Sequence, residues 1–251
     1  MSEPDIDGGR RPRVYLFATC LVDLFWPEAG MDAVAVLEYA GFEVCLPRDQ
    51  TCCGQPAYTS GFPDEARTVI ESQLGLFPEP VPIVVPSGSC AGMIQHHWPR
   101  IFADDPDTLA RIAAISSRVV ELTDFIADKI DFGSLQARPA RVCLHTSCSA
   151  RRETGALGSG RKVLAALPGV DVLTQEHEAE CCGFGGTFSI KHPEISAAMT
   201  SDKVDALLAT GCDAFVSADC GCLLNLNTTL QKRGVSLRGR HLASLLRERL
   251  P

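Results

Sequence analysis

One cysteine frame occurs twice in this chain, and it constrains the fold more than any other feature. In the first half it reads Cys20, then Cys52-Cys53-Gly54, then Cys90; in the second half it reads Cys148, then Cys181-Cys182-Gly183, then Cys222. The copies are offset by 128 residues at the first mark (148 − 20), 129 at the pair (181 − 52) and 132 at the last (222 − 90). The flanking residues repeat as well: Val142-Cys143-Leu144-His145-Thr146-Ser147-Cys148 lies over Val14-Tyr15-Leu16-Phe17-Ala18-Thr19-Cys20. Near-constant offsets over such a distance mean two similar lobes, not a solenoid.

Within each half, strand and helix patterns alternate. In the first, strands are expected at 13–17, 42–46, 81–85 and 119–122. Helices are expected from Pro27 to a Gly41 cap, at 64–77, at 91–102 with strain near Pro99, at 106–116 and at 124–130. In the second, strands are expected at 142–148, 170–173, 214–218 and 235–237, with helices at 151–167, 195–208, from 222 to about 232 and at 241–249. This order predicts an α/β fold of two pseudo-symmetric lobes, 13–135 and 136–251. Each has a mostly parallel sheet flanked by helices, with cysteine-bearing loops at the sheet edge. Sites in such sheets form outside the carboxyl ends of the strands. Three loops of each lobe therefore deliver thiols to one edge.

The rest of the composition excludes several classes. A formal charge of −8 argues against nucleic acid or an anionic membrane as partner. No apolar run reaches the roughly 18 residues of a membrane span. Residues 1–12 are polar and lack the apolar stretch of a secretory signal, which predicts a disordered leader and a cytoplasmic protein.

Twelve cysteines with no export signal point to metal or redox chemistry rather than a disulfide framework. Three of them, Cys45, Cys143 and Cys212, sit in or beside apolar runs and read as small core residues. Eight form the doubled frame. Zinc takes four tetrahedral thiolates, an awkward geometry for adjacent cysteines whose side chains diverge. A multi-iron cluster suits them better, since each thiolate can bind a different metal atom. Gly54 and Gly183 allow a close bend, and Gly183-Phe184-Gly185-Gly186 offers free N–H groups to cluster sulfur. That stretch follows a Cys pair and lacks the strand–turn–helix setting of a dinucleotide fingerprint.

The frame resembles the cysteine-rich CCG domain family, whose members include the CCG-bearing component of heterodisulfide reductase, the iron–sulfur component of glycolate oxidase and the lactate utilization proteins. Ser87-Gly88-Ser89-Cys90, His96-His97, Glu121-Leu122-Thr123 and Cys182-Gly183-Phe184-Gly185-Gly186-Thr187-Phe188 look most like the lactate utilization branch. The resemblance covers about residues 13–250. It implies iron–sulfur clusters, one per lobe and of the [4Fe-4S] type, held by Cys20, Cys52, Cys53 and Cys90 and by Cys148, Cys181, Cys182 and Cys222. It also implies an electron-transfer subunit of a cytoplasmic complex that oxidises L-lactate to pyruvate, beside a ferredoxin-like iron–sulfur subunit and a third subunit. The chain would be an oxidoreductase subunit rather than a stand-alone enzyme. No flavin, nicotinamide, Walker or Ser–His–Asp pattern is seen.

The frame departs from heterodisulfide reductase at the fifth cysteine of that motif. Met93 and Asn225 stand at those places. Disulfide-reducing chemistry is thus the alternative reading, and a zinc-stabilised scaffold without redox function a further one. Cys220 competes with Cys222: family spacing favours the former, the internal repeat the latter. Of the histidines, His145 could tune or bind a cluster but reads first as a satisfied buried ring near a strand end, and His96 and His97 could serve proton-coupled transfer but read first as capping or pairing residues at the surface. Arg151, Arg152, Lys191, Arg247 and Arg249 read as a solvated face.

Overall fold

The computed structural model describes residues 11–251. The leader expected at 1–12 lies outside the described residues except for Arg11 and Pro12, and the Pro12 carbonyl accepts from the Glu43 N–H at 2.9 Å. Eight strands form two four-stranded sheets. The first contains Arg13–Leu16 (β1), Glu43–Cys45 (β2), Ile83–Val85 (β3) and Val119–Glu121 (β4), in the order β2-β1-β3-β4. The second contains Ala140–Leu144 (β5), Val170–Leu173 (β6), Ala214–Ser217 (β7) and Gly239–His241 (β8), in the order β6-β5-β7-β8. All pairings are parallel. Val14 stands opposite Val44 and Tyr15 opposite Ile83, while Val142 stands opposite both Val172 and Ala214. Strand order reverses between β1 and β3, and again between β5 and β7, so a crevice opens at the carboxyl ends there.

The first lobe's helices are Cys20–Phe25 (α1), Pro27–Tyr39 (α2), Gln55–Thr59 (α3), Pro63–Gln73 (α4), Gly88–Gly92 (α5), Trp98–Ile101 (α6), Pro106–Ser116 (α7) and Leu122–Ile126 (α8). The second lobe's are Cys148–Glu153 (α9), Ala156–Ala166 (α10), Phe188–Lys191 (α11), Pro193–Ala209 (α12), Cys220–Lys232 (α13) and Leu242–Arg247 (α14). Proline opens α2, α4, α7 and α12, where its fixed φ suits the first turn and its missing N–H has no partner to lose.

The period-two alternation of β1 and β5 assigns the core. Val14 and Leu16 face one side and join Val142 and Leu144 in a core shared by both lobes. Helices α2, α8, α10 and α14 fill it, with Ala33, Val36 and Leu37 meeting Leu242, Leu245 and Leu246. Tyr15 and Phe17 point the other way, into an outer core with Ile70, Ile83, Trp98 and Phe102. Cys143 faces the second lobe's outer core, with Val204, Leu207, Phe215 and Leu226. The lobes are thus joined through packed helices.

The short helices α1, α3 and α11 were not expected from the sequence, and three further differences have a clear physical cause. The last strand is not 235–237 but Gly239–His241. Phe215 of β7 lies over this edge, and a Cβ at residue 239 would stand 2.1 Å from its Cζ, so only glycine pairs there. Asn227 grips the same residue, donating to the Gly239 carbonyl (3.0 Å) and accepting from its N–H (2.7 Å). The helix expected over 151–167 is two, α9 and α10. They part at Thr154-Gly155, where the Thr154 hydroxyl accepts from the Ala156 N–H (3.2 Å) and Asp124 accepts from the Gly155 N–H (3.2 Å). The helix expected over 91–102 widens into a π-turn, Met93–His97, just before Pro99. That residue has no N–H for the regular ladder and crowds the carbonyl a turn earlier.

Candidate metal centres

Each sheet presents its four cysteines at its carboxyl edge. Cys20 opens α1, Cys90 lies in α5, and Cys52-Cys53 ends the loop between β2 and α3. Cys148 opens α9, Cys222 lies in the first turn of α13, and Cys181-Cys182 sits between β6 and α11. The four single cysteines therefore stand in first helical turns rather than in loops.

The pair loops are tied from behind by buried and half-buried side chains. In the first lobe Gln50 accepts from the Ala18 N–H (2.9 Å) and donates to the Leu16 carbonyl (3.1 Å), joining the exit of β1 to the pair loop. Gln73 accepts from the Thr51 N–H at 3.1 Å, and Trp98 Nε1 donates to the Cys53 carbonyl at 2.8 Å. In the second lobe the Cys182 carbonyl has two donors, Thr200 Oγ1 (2.9 Å) and Asn225 Nδ2 (3.0 Å). Lys203, 2 % exposed, donates to the His177 carbonyl at 2.6 Å. Gly183 takes φ +83°, and a Cβ there would meet the Ser196 carbonyl oxygen at 2.5 Å. No other residue fits that bend.

Within each quartet the sulfurs touch. Cys20 Sγ lies 3.5 Å from Cys52 Sγ, and Cys148 Sγ lies 4.0 Å from Cys181 Sγ. Donation from Cys20, then Cys53, holds Cys52 down at about 3, while those two thiols are pushed up by the bond to Cys52 and by burial. The second lobe repeats this. Donation from Cys148, then Cys182, holds Cys181 at about 2, assisted by the Gly183 N–H. The bond to Cys181 and burial raise Cys148 and Cys182. The neighbouring Cys182 thiol holds Cys222 near 7 against its burial. Four soft sulfurs in contact, some already favouring the thiolate, form the donor set that thiophilic metals and iron–sulfur groups take.

Asp219 and Ser87, at equivalent places in the repeat (219 − 87 = 132), bond to each other. Ser87 Oγ donates to the Asp219 carboxylate at 2.9 Å and the Ser89 N–H donates to it at 3.0 Å. The lobes therefore meet about a pseudo-two-fold axis between these residues. The same offset sets Cys222 opposite Cys90, and Cys220 opposite Gly88. Cys222 lies with Cys182 and His145, their donor atoms within 4.8 Å of one another, and Cys220 is outside that group. Burial, then the Asp219 charge, pushes the Cys220 thiol up.

His145 departs from its expectation. It is 1 % exposed, and neither ring nitrogen has a hydrogen-bond partner. His96 and His97 behave as expected of pairing residues, but the partner is the other lobe: their Nε2 atoms bond to the Glu153 carbonyl (2.8 Å) and carboxylate (2.9 Å) of α9. Arg151 and Arg249 do not lie on a solvated face. Arg151 pairs with Glu178 at 3.4 Å, and Arg249 is buried, donating to the Leu245 carbonyl at 2.9 Å. Cys143 and Cys212 neighbour each other at the far end of the second sheet, and donation from Cys143 holds Cys212 at about 6. Cys45 accepts from Arg13 at 2.8 Å.

Residues 14–95 and 142–227 each match the family model described as CCG, Cysteine-rich domain, so the chain carries two such domains. It is 38 % identical over 240 residues to "Lactate utilization protein A" of Exiguobacterium sp., covering 94 % of this chain and 98 % of that protein. It is 40 % identical over 238 residues to the protein of the same name from Bacillus cytotoxicus, covering 94 % and 99 %. The chain belongs to the lactate utilization protein A family. A solved structure of a hypothetical protein from Helicobacter pylori shares the fold, with a TM-score of 0.63 at 11 % identity over 95 % of this chain and 49 % of that one. No helix among the described residues is long and apolar enough to cross a membrane.

Proposed function

We propose that this chain is the iron–sulfur subunit of a cytoplasmic system that oxidises L-lactate to pyruvate, and that it carries electrons rather than turning over lactate itself. Each lobe, 13–135 and 136–251, is one binding unit. Cys20, Cys52, Cys53 and Cys90 hold one [4Fe-4S] group, and Cys148, Cys181, Cys182 and Cys222 hold another. Such a group, when bound, stores and passes single electrons. The observation that carries the reading is the pair of contacting sulfur quartets at equivalent sheet edges, in a chain alignable over 94 % of its length with a lactate utilization protein.

The protein's own residues supply the rest. Buried Trp98 and Thr200 and half-buried Asn225 fix the backbone of each inner cysteine, and the helical first turns present the outer ones. Cys53 and Cys182 are nearly closed to water, whereas Cys20, Cys52, Cys148 and Cys181 are half-buried, leaving one side of each quartet toward a partner. That partner is a ferredoxin-like iron–sulfur subunit, with a third subunit completing the system. Disulfide reduction loses support, because Met93 is buried in the first lobe's core and Asn225 is bonded to Cys182 and Thr200; neither supplies a fifth thiolate. Anaerobic reconstitution with iron and sulfide, followed by metal and acid-labile sulfide analysis, tests the reading. Both elements retained after desalting, with a visible charge-transfer band, is the expected result. Zinc in place of iron, with no sulfide, overturns it.

A further inference from the structure

We propose that His145 donates an imidazole nitrogen to the metal group of the second lobe, which makes that centre chemically different from the first. The inference rests on the reading that the quartets hold such groups. It starts from burial. His145 lies just past β5, three residues before Cys148, at 1 % exposure with both Nδ1 and Nε2 unpartnered. Buried polar groups are bonded as a rule, so a wholly buried ring with two free nitrogens calls for a ligand.

The surroundings say where that ligand sits. A ring nitrogen of His145 and the sulfurs of Cys182 and Cys222 lie within 4.8 Å of one another, the spread of donors around a common metal. A cavity of about 10 Å³, lined in part by His145, Thr123, Thr146 and Asp219, adjoins the ring. That is close to the space of one water molecule. Metal-bound imidazoles pass their second N–H to a carboxylate, a carbonyl or a water, and this cavity offers a carboxylate and two hydroxyls, of which Thr146 Oγ1 is itself unpartnered.

The first lobe has no such donor. The equivalent position (145 − 128 = 17) is Phe17, 1 % exposed and stacked on Phe77 with ring centroids 5.9 Å apart. The second centre thus has four sulfurs and one nitrogen available, and the first has four sulfurs only.

The test is pulsed EPR on reconstituted full-length protein carrying Cys53→Ser, which confines the signal to the second lobe, poised in its paramagnetic state. The protein is prepared with natural-abundance histidine and with ¹⁵N-histidine. The expected result is a nitrogen coupling of the size of a directly bound imidazole, which changes on ¹⁵N-histidine labelling. His145→Phe removes it, and thermal unfolding of the metal-free variant checks that the fold is intact. Iron and sulfide bound with no histidine coupling, with only the weak coupling of a hydrogen-bonded ring, or with a coupling that survives His145→Phe, overturns the inference while leaving the parent reading standing. Absence of iron and sulfide from the unsubstituted protein sinks both. If His145→Phe fails to fold, His145→Gln takes its place with the same readout.

Discussion

The two lobes share a scaffold and differ at the points where the scaffold meets sulfur. Before Cys20 stands Thr19, buried and held at φ 65°, a conformation costly for a β-branched residue. Before Cys148 stands Ser147, at φ −59° and capping α9 through its hydroxyl. The first inner cysteine, Cys53, has one side-chain donor to its carbonyl; the second, Cys182, has two. Phe17 stands in one lobe where His145 stands in the other. A repeat preserves the strand order and the delivery of four thiols, because these follow from topology. It leaves the surroundings of the thiols free to diverge, because each side chain there needs only local room. The pair is better understood as two different thiol sites on one frame than as one site duplicated.

Several substitutions separate the lobes. The largest effect is expected at the glycines that follow the pairs. Gly54→Ala meets Ile70 only at 3.4 Å, so its cost is that of a left-handed alanine, about 1–2 kcal/mol. Gly183→Ala adds a clash with the Ser196 carbonyl, for a total of about 3 kcal/mol. Chemical denaturation of the metal-free proteins checks the order, and equal losses would show that the second bend yields more easily than its geometry indicates.

Next come the carbonyl holders. Trp98→Phe strips the Cys53 carbonyl of its side-chain donor inside a packed core and should destabilise by about 2 kcal/mol. Asn225→Ala leaves Thr200 on the Cys182 carbonyl and should cost about 1 kcal/mol. The same unfolding experiment reads both. A larger loss for Asn225→Ala would show that Thr200 alone does not hold the Cys182 carbonyl.

The smallest effect concerns the caps at the ends of β4 and β8. Glu121 accepts from the N–H groups of Thr123 and Asp124, while His241 Nδ1 accepts from the Ala243 N–H. Burial, and after it the charge of Asp124, pushes Glu121 up to about 8 from 4.5. The unfolded chain releases that proton at the lower pH and the folded chain keeps it to the higher, so this cap loses stability as pH rises between them. Burial lowers His241 from 6.5, so the second cap loses stability as pH falls below that value. Glu121→Gln should therefore remove part of the decline in Tm between about pH 5 and pH 8, by a few degrees. An unchanged pH profile would mean that Glu121 ionises freely in the folded protein.

How much of this was legible beforehand follows the same division. The frame, the offsets and the alternation of strand and helix show in the residues, and they place eight cysteines at two sheet edges. The residues leave Cys220 and Cys222 in competition, because family spacing favours one and the internal repeat the other; only the folded chain shows that the Cys222 sulfur is the one beside Cys182 and His145. His145 was not legible as unsatisfied, because an apolar strand end looks the same whether its histidine finds a carbonyl or a cluster of thiols; its substitution for Phe17 was the available signal. Asp219 gave no sign of reaching the other lobe, since its contact with Ser87 and Ser89 exists only after docking. Gly239 displaced the last strand because a ring from a neighbouring strand occupies its Cβ position, a constraint no local pattern carries.

The most direct test of two separate centres is the iron and acid-labile sulfide content of four anaerobically reconstituted proteins: unsubstituted, Cys53→Ser, Cys182→Ser and the double variant. The account predicts that each single variant loses about half of both elements, that their absorption spectra differ from one another, and that the double variant binds neither. Full iron and sulfide in the double variant, or loss of everything in either single one, would contradict it.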